Sequence, residues 1–393
     1  MRARHHLRVI EHLLGGELLR RTAVAFLVRA MGAVAMLLMS LIVAHTLSVA
    51  ESGLFFLGLA IVTFLATIGL LGLNQSVLRF VGVHYANQDW PTINAVVRQA
   101  ARPAGISLAL LSIALYLAAP LLGIELFGKP ALGSVLAAFA PGALFLGLIL
   151  LSAHQLQAIR RPTQSIVVLS VAVPFGFSAM LLLIGAETAQ TAAALYSTVA
   201  TAAAILGIVW WRRARASRER GRADNRLLWA SSLPLWIVTL TGQATQWSGQ
   251  LIAGLWVPAR DLAYLAVAQR TALLVSFILA VVNTVVAPRF AALYAQQRHA
   301  ELEMLALRAA RLMTVFALPV VAAIVVFPEW ILAWFGESYR AGAPLLVILA
   351  VAQFVNVMTG SVSYLLAMSG HERDLRNVVL FSGPLAIGAA LIL

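Results

Sequence analysis

The sequence contains no cysteine, and only 11% of its 393 residues are charged. The absence of cysteine excludes disulfides, thiolate catalysis and cysteine-based metal sites. Soluble globular domains carry about 25% charged residues, so water is not the main solvent of this protein. The chain also lacks a P-loop, a histidine and carboxylate cluster with metal spacing, and a nucleophile beside a base. We therefore expect no enzyme, no metal and no cofactor.

Long apolar runs separated by short polar breaks occupy most of the chain, which is 61% hydrophobic with a mean hydropathy of +0.91. One membrane crossing needs about 20 apolar residues in a helix. We predict an all-α polytopic membrane protein with about eleven spans. The predicted spans are Thr22–Thr46, Gly53–Val81, Pro103–Gly123, Ala131–Ala158, Gln164–Gly185, Gln190–Trp211, Trp229–Val257, Asp261–Ala287, Ala309–Phe327, Ala343–Met368 and Asn377–Leu393.

Basic residues divide unequally between alternate loops. Of the 28 lysines and arginines, all but five lie in the amino-terminal tail and the even-numbered loops. Because cytoplasmic loops retain basic residues, we predict a bacterial inner-membrane protein with a cytoplasmic amino terminus. The net charge of +13 is then a topology signal, and no nucleic-acid partner is expected. Contact of the arginine-rich stretch 212–226 with anionic membrane lipids fits the same pattern. The stretch Leu7–Arg21 is expected to lie along the interface as an amphipathic helix, with a frayed tail as the alternative.

Two short motifs recur about 210 residues apart. The segment "VLRF" at 77–80 returns as "APRF" at 287–290, and "LFG" at 126–128 returns as "WFG" at 334–336. Six spans separate the copies, so both halves enter the membrane from the same side, as in transporters with two parallel repeats. We predict two six-helix lobes around a central cavity, with the twelfth helix missing from this chain. The predicted domains are an N-lobe at 1–211, with the interfacial helix and spans 1 to 6, a basic cytoplasmic linker at 212–228 and a C-lobe at 229–393, with spans 7 to 11.

Only two charged residues fall clearly inside predicted spans, Arg29 in span 1 and Arg270 near the middle of span 8. A charge at such a depth needs a surrounding of protein or water. All fifteen carboxylates fall in tails, loops or span ends. An interior with arginines and no carboxylates attracts anions, and the guanidinium fork suits phosphate oxygens. The alternative for both arginines is that they extend to the nearer interface.

Span 7 carries four neutral polar residues at steps of four, three and four, which places them on one helical face. Amides and hydroxyls on this face are candidates for contact with sugar hydroxyls. Hydrogen bonding between helices of the bundle is the alternative. The four residues are Thr239, Gln243, Gln246 and Gln250.

Segments 43–80, "VAHTLSVAESGLFFLGLAIVTFLATIGLLGLNQSVLRF", and 251–294, "LIAGLWVPARDLAYLAVAQRTALLVSFILAVVNTVVAPRFAALY", carry a family resemblance. They resemble the polysaccharide-export branch of the multidrug/oligosaccharidyl-lipid/polysaccharide exporter superfamily, the O-antigen and exopolysaccharide repeat-unit flippases. The resemblance implies two lobes facing a central cavity and translocation of undecaprenyl-pyrophosphate-linked oligosaccharide by alternating access. Arg270 matches a position where the family commonly has a basic residue, and Arg29 matches one more loosely.

The resemblance leads to our functional hypothesis, in which Arg29 and Arg270 bind the pyrophosphate and the polar face of span 7 lines the sugar path. The expected partners are the lipid-linked oligosaccharide, membrane lipids, a polysaccharide polymerase and a chain-length regulator. Three alternatives remain open from the sequence. They are a cation-coupled multidrug or metabolite exporter of the same superfamily, a peptidoglycan lipid II flippase, and a scaffold for polymerase machinery that transports nothing.

Overall fold

The computed structural model describes residues 15–362 except 218 and 220, and then 365–366, 374, 377–378, 380–385 and 388. Its side chains are described from residue 27 onward, apart from Arg29 and several positions between 280 and 295. Within these residues every regular element is a helix. The helices are α1 (Gly15–Thr46), α2 (Val49–Gly69), α3 (Leu73–Ala86), α4 (Trp90–Leu121), α5 (Pro130–Ala158), α6 (Pro162–Ile184, with one π turn), α7 (Ala189–Ala214), α8 (Asn225–Trp256), α9 (Ala259–Ala295), α10 (His299–Val326), α11 (Pro328–Ala333) and α12 (Ala343–Met358).

The prediction of an all-α polytopic membrane protein is confirmed. Ala30–Thr46 of α1 forms a shorter apolar helix, and polar side chains lower the hydropathy of α8. Predicted span 11, Asn377–Leu393, and the predicted interfacial helix Leu7–Arg21 fall partly outside the described residues. In the described part of the chain, eight helical segments are long and apolar enough to cross a membrane: Val49–Gly69, Trp90–Leu126, Pro130–Ala158, Pro162–Ile184, Ala189–Ala214, Ala259–Leu279, His299–Val326 and Glu337–Met358.

The prediction of one continuous span at Gly53–Val81 is wrong. Helix α2 stops before a turn in which Leu71 and Gly72 have positive φ angles of 53° and 71°, and α3 follows the turn. A Cβ atom on Gly72 would lie 2.3 Å from the carbonyl oxygen of Ser232, so glycine permits both the conformation and the close approach of α8. Apolar residues continue across the turn, which is why hydropathy does not reveal it.

The segment 82–102 was expected to be a loop, and it is largely helical instead. Helix α3 continues to Ala86 and α4 begins at Trp90. The carboxylate of Asp89 accepts a hydrogen bond from the main-chain N–H of Thr92 at 3.1 Å, which satisfies a free donor of the first turn. Arg98 and Arg102, which fall between the predicted spans 2 and 3, therefore lie on α4.

An aromatic cluster holds four helices of the first half together. The ring of Phe55 on α2 lies 5.3 Å from the rings of Phe139 on α5 and Phe177 on α6, measured between centroids. Tyr196 on α7 contacts all three rings at 5.4 to 6.2 Å. Such pairs add to the free energy gained by burying the rings. The cluster fixes the position of Tyr196 relative to α2.

The LFG segment at 126–128 and its copy, the WFG segment at 334–336, lie at the end of the bundle where α1 and α8 terminate. We call this the Thr46 end. Beside the LFG segment, the Nζ atom of Lys129 donates to the carbonyl oxygen of Gly254, near the end of α8, at 2.7 Å. In the second half, Nε2 of His45, near the end of α1, lies 2.7 Å from the carbonyl oxygen of Trp334 in the WFG segment. Each motif thus bonds to the last turn of the first helix of the other half.

Helix α8 is also bonded to the first half along its length. The hydroxyl of Ser232 donates to that of Ser76 on α3 at 2.9 Å. The indole N–H of Trp236 donates to the carbonyl oxygen of Ile68 on α2 at 3.1 Å. Together with the bond from Lys129, these contacts attach both ends of α8 to the half that precedes it in sequence.

The basic segment between α7 and α8 is fixed to α4 by side-chain hydrogen bonds to its backbone. The amide nitrogen of Asn94 donates to the carbonyl oxygens of Ser217 at 3.0 Å and Glu219 at 3.1 Å. The amide nitrogen of Gln99 donates to the carbonyl oxygen of Ala223 at 2.9 Å. The linker therefore follows a defined course over the amino-terminal part of α4.

We expect an Asn94→Ala variant to release this linker. Loss of two hydrogen bonds, each worth about 1 kcal/mol, raises the detached population at least about tenfold. Limited trypsin digestion of membranes measures this, because cleavage between α7 and α8 separates the chain into two large fragments. The exposed Ser134→Ala variant, which loses only a bond to Ala131 at the other end of the protein, is the control. Equal cleavage rates in the two variants would contradict the described docking.

Candidate functional site

A cavity of about 500 Å³ lies between the two halves of the described structure. Seven helices contribute to its wall: α1, α2, α5, α6 and α7 from the first half, and α8 and α9 from the second. Most lining residues are aliphatic, aromatic or glycine. The polar lining residues are Thr63, Ser170, Tyr196, Trp247, Arg270 and Ser276.

Arg270 supplies the only charge among the lining residues that the structure describes. Its side chain is 7% exposed, and its Nη1 atom donates to the carbonyl oxygen of Ala266, one turn earlier on α9, at 3.2 Å. The guanidinium carbon lies 4.1 Å from the centroid of the Phe56 ring on α2, a cation–π contact. Two further guanidinium nitrogens, Nε and Nη2, have no partner among the described residues.

The electrostatic character of the cavity follows from this arrangement. A buried cation is costly unless a counter-charge or several acceptors surround it. No carboxylate lines the cavity in the described part of the chain, and no group of three histidines or carboxylates there could hold a metal ion. The cavity is therefore positive and favours a ligand that brings negative charge and acceptor oxygens.

Small residues on α9 explain how the arginine comes to lie beside α2. Three of the eight residues in the stretch "LAVAQRTA" are alanines, and all three, Ala266, Ala268 and Ala272, are fully buried. Closer to the Thr46 end, Gly53 of α2 faces the first residue of α9, and a Cβ atom added to it would lie 1.7 Å from the carbonyl oxygen of Ala259. The two helices approach this closely because neither has a side chain in the way.

The side chain of Arg29, the other predicted pyrophosphate ligand, lies outside the described residues. Its backbone belongs to α1. Gly32 and Ala33, three and four residues further along α1, line the cavity.

The polar face predicted on α8 does not line this cavity, since none of its four described residues belongs to the wall. The Thr239 hydroxyl donates to a carbonyl oxygen of its own helix, and the amide of Gln243 contacts the Thr67 hydroxyl on α2 at 3.4 Å. Gln246 is exposed, and Gln250 is 1% exposed with both amide atoms unpartnered among the described residues. Gln243 therefore makes a contact between helices, which is the alternative to a role in contacting sugar hydroxyls.

Sequence reasoning missed five of the six polar residues that line the cavity in the described structure. The five are Thr63, Ser170, Tyr196, Trp247 and Ser276. Trp247 of α8 and Tyr196 of α7 are both less than 9% exposed and face the cavity with Arg270. The indication for Trp247 was its place inside a predicted span, since tryptophan otherwise prefers the membrane interfaces. Nothing in the sequence around Tyr196 marks it.

Two family models match the chain. The model described as "Polysaccharide biosynthesis protein" matches residues 18–294, and the model described as "MatE" matches residues 234–391. The first match covers α1 to α9, including every residue of the cavity wall. No curated protein matches the chain.

Several solved transporter structures share the fold. One, described as the inward-facing conformation of a multidrug resistance MATE family transporter of the MOP superfamily, is 16% identical with a TM-score of 0.70 and covers 94% of this chain and 90% of that one. Another, described as the outward-facing conformation of a multidrug resistance MATE family transporter of the MOP superfamily, is 14% identical with a TM-score of 0.56 and covers 95% of this chain and 94% of that one. A MOP superfamily transporter from Pyrococcus furiosus, described as having reverse polarity of the binding pocket, is 16% identical with a TM-score of 0.61, covering 95% and 87%.

Proposed function

This chain belongs to the family of polysaccharide biosynthesis proteins within the MOP exporter superfamily, and we propose that it translocates undecaprenyl-pyrophosphate-linked oligosaccharides across the bacterial inner membrane. It is a multi-pass membrane protein with the transporter fold of that superfamily. The proposed product of its activity is a repeat unit for O-antigen, capsule or exopolysaccharide. The amino terminus is proposed to be cytoplasmic, on the strength of the uneven distribution of arginine.

The observation that carries this proposal is the environment of Arg270. Among the described residues it is the one charge in a mostly apolar wall, two of its guanidinium nitrogens have no partner, and no carboxylate lines the cavity. A phosphate group attached to a lipid satisfies the donors, and the apolar wall suits the hydrocarbon next to it. Free sugars, which need many hydrogen bonds, fit such a wall poorly.

Two further residues are proposed to contact the substrate, each on less evidence than Arg270. Arg29 is proposed as a second pyrophosphate ligand because Gly32 and Ala33 of the same helix line the cavity. The exposed Gln246 is the member of the α8 polar face best placed to meet sugar hydroxyls, since Gln243 is engaged with α2. A polysaccharide polymerase and a chain-length regulator are the proposed protein partners.

A cation-coupled multidrug exporter is the second candidate, and the MatE match and the multidrug transporters of the same fold favour it. The charge of the cavity argues against it, because an organic cation would face Arg270 without a compensating carboxylate among the described lining residues. A lipid II flippase would use the same anion site. The sugar attached to the transported lipid distinguishes a lipid II flippase from a flippase for polysaccharide repeat units.

Proteoliposomes containing the purified protein test the proposal. We expect protein-dependent transfer of a fluorescent lipid-linked oligosaccharide from one leaflet to the other, measured by loss of accessibility to an impermeant quencher. Transfer of undecaprenyl phosphate without a sugar, and uptake of a cationic dye, are measured in parallel. Dye uptake without lipid transfer would establish the exporter and refute the flippase.

A further inference from the structure

The cavity ends at a definite level on the side of the Thr46 end. Among the described residues, the lining of the cavity begins at Leu59 on α2 and at Arg270 on α9. Both helices start at the Thr46 end, at Val49 and Ala259. The stretches of α2 before Leu59 and of α9 before Arg270 therefore separate the cavity from that end of the protein.

The face of α9 that meets α2 in this stretch is made of small residues and ends at an arginine. Ala259, Ala263, Ala266 and Arg270 follow at steps of four, three and four, which places them on one helical face. A Cβ atom added to Gly53 of α2 would lie 1.7 Å from the carbonyl oxygen of Ala259 and 3.1 Å from the nitrogen of Ala263. Because α2 belongs to the first half and α9 to the second, this contact joins the halves. We call it the α2–α9 seam.

The guanidinium of Arg270 lies at the boundary between the cavity and the α2–α9 seam. Side chains of a helix lean toward its amino terminus, which for α9 is the Thr46 end. The bond from Nη1 to the carbonyl oxygen of Ala266 has this direction. The guanidinium carbon lies 4.1 Å from the centroid of the Phe56 ring, and Phe56 is fully buried and is not among the lining residues. The charge is thus held between the halves, against a ring of the seam.

This arrangement compensates the charge only in part. The nitrogens Nε and Nη2 of Arg270 are buried without a partner among the described residues. A buried cation without a counter-charge is costly, and a cation–π contact offsets part of the lost hydration. Parting of α2 and α9 would return the guanidinium to water. The closed seam therefore contains one group that favours opening, the charge of Arg270, and one that opposes it, the ring of Phe56.

We propose that the α2–α9 seam is a gate that closes the cavity toward the Thr46 end, and that Phe56 and Arg270 set its equilibrium in opposite senses. If the two residues served packing alone, both would favour the closed gate. The inference does not depend on the identity of the cargo. It states when the two buried nitrogens of Arg270 become available to an anion, which is after the gate opens.

The accessibility of a thiol placed in the seam tests the proposal, since the chain has no cysteine of its own. Ala266→Cys puts one thiol at a fully buried position, where a water-soluble maleimide reacts only when the halves part. The rate of labelling is measured by mass spectrometry on the full chain in detergent. Adding Phe56→Leu should speed labelling at least about tenfold, because a desolvated cation–π contact is lost. Adding Arg270→Met should slow labelling, because an apolar side chain then occupies the seam without a charge.

Two controls separate opening of the gate from general loss of structure. Phe177→Leu makes the same change at an equally buried ring whose aromatic contacts, with Phe55 and Tyr196, lie within the first half. It should leave labelling of the thiol introduced by Ala266→Cys unchanged. A separate reporter, Ala200→Cys, lies fully buried on α7. Its labelling should stay equally slow with and without Phe56→Leu.

Combining the two substitutions decides whether the ring acts through the charge. With Arg270→Met present, Phe56→Leu should lose most of its effect, because its partner is gone. Equal acceleration in both backgrounds would show that Phe56 serves packing alone. Labelling that is no slower in Arg270→Met than in the wild type would refute the role of the charge, and unchanged labelling in Phe56→Leu would refute the gate.

A second reporter guards against a folding defect of the first. If Ala266→Cys lowers the melting temperature, Ala263→Cys on the same face of α9 carries the same series of measurements. None of these experiments uses a lipid-linked sugar. Failure of the gate therefore leaves the proposed cargo standing, and failure of leaflet transfer leaves the gate standing.

Discussion

An Arg270→Ala variant is expected to insert and fold normally and to translocate lipid-linked oligosaccharide at least about tenfold more slowly than the wild type. The guanidinium is the only charge among the described residues of the cavity wall, and a charge-assisted hydrogen bond is worth about 1.5–3 kcal/mol. Loss of one such bond in the transport cycle accounts for a tenfold effect or more. Leaflet transfer in proteoliposomes measures the rate, and detergent melting curves measure the fold.

An Arg270→Lys variant should retain part of the transport, because the charge survives and the fork geometry does not. Arg260→Ala is the matched control. Arg260 lies ten residues earlier on the same helix, is exposed, and bonds to the hydroxyl of Tyr264 at 2.5 Å away from the cavity. Wild-type transfer by Arg270→Ala, or an equal loss in Arg260→Ala, would mean that the cavity is not the substrate site.

A Gly53→Ala variant is expected to show the largest loss of stability of any single methyl addition in the described chain. The added Cβ atom would lie 1.7 Å from the carbonyl oxygen of Ala259, 2.7 Å from its carbonyl carbon and 3.1 Å from the nitrogen of Ala263. All three atoms are backbone, so no rotation of a side chain relieves the clash, and α2 and α9 have to separate. Overpacking in a dense core costs about 1–3 kcal/mol, and more where the backbone has to move.

Melting temperature in detergent measures the effect of Gly53→Ala, and the rate of leaflet transfer should fall with it. Gly105→Ala on α4 is the control, since nothing lies within 4 Å of its added Cβ atom. Alanine favours a helix over glycine by about 1 kcal/mol, so Gly105→Ala should melt at or above the wild-type temperature. A Gly53→Ala variant that melts with the wild type would contradict the close packing of α2 on α9.

Much of the fold could be predicted because a membrane span can be recognised in a sequence from the length and hydropathy of an apolar run. Nine of the eleven predicted spans each correspond to one described helix, and the boundaries at α5 and α7 lie close to the expected ones. The failures occur where hydropathy is uninformative. The turn at Leu71 and Gly72 is as apolar as the helices around it, and the loop expected at 82–102 is polar although most of it is helical.

The site could be predicted only in part, for a similar reason. Arg270 could be recognised as a candidate site residue because a charged side chain inside an apolar span is costly and usually faces protein or water. It does line the cavity. The face of a helix that meets a cavity depends on packing between helices, which periodicity does not contain. For this reason the sequence analysis selected the glutamines of α8 as cavity-lining candidates and did not select Trp247, which lies on the same helix.

The hydrogen bonds along α8 have a mechanical consequence. The predicted repeat assigns this helix to the second half, while Ser232, Trp236 and Gly254 bond it to the first. Any rocking of one half against the other has to break those three bonds or leave α8 behind. In the alternating-access cycle that the family resemblance implies, the equilibrium between the two arrangements of the halves is then adjustable from a single helix, in steps of roughly 1 kcal/mol per bond. Substitutions at either end of α8, far from the cavity, are expected to shift that equilibrium without contacting the substrate.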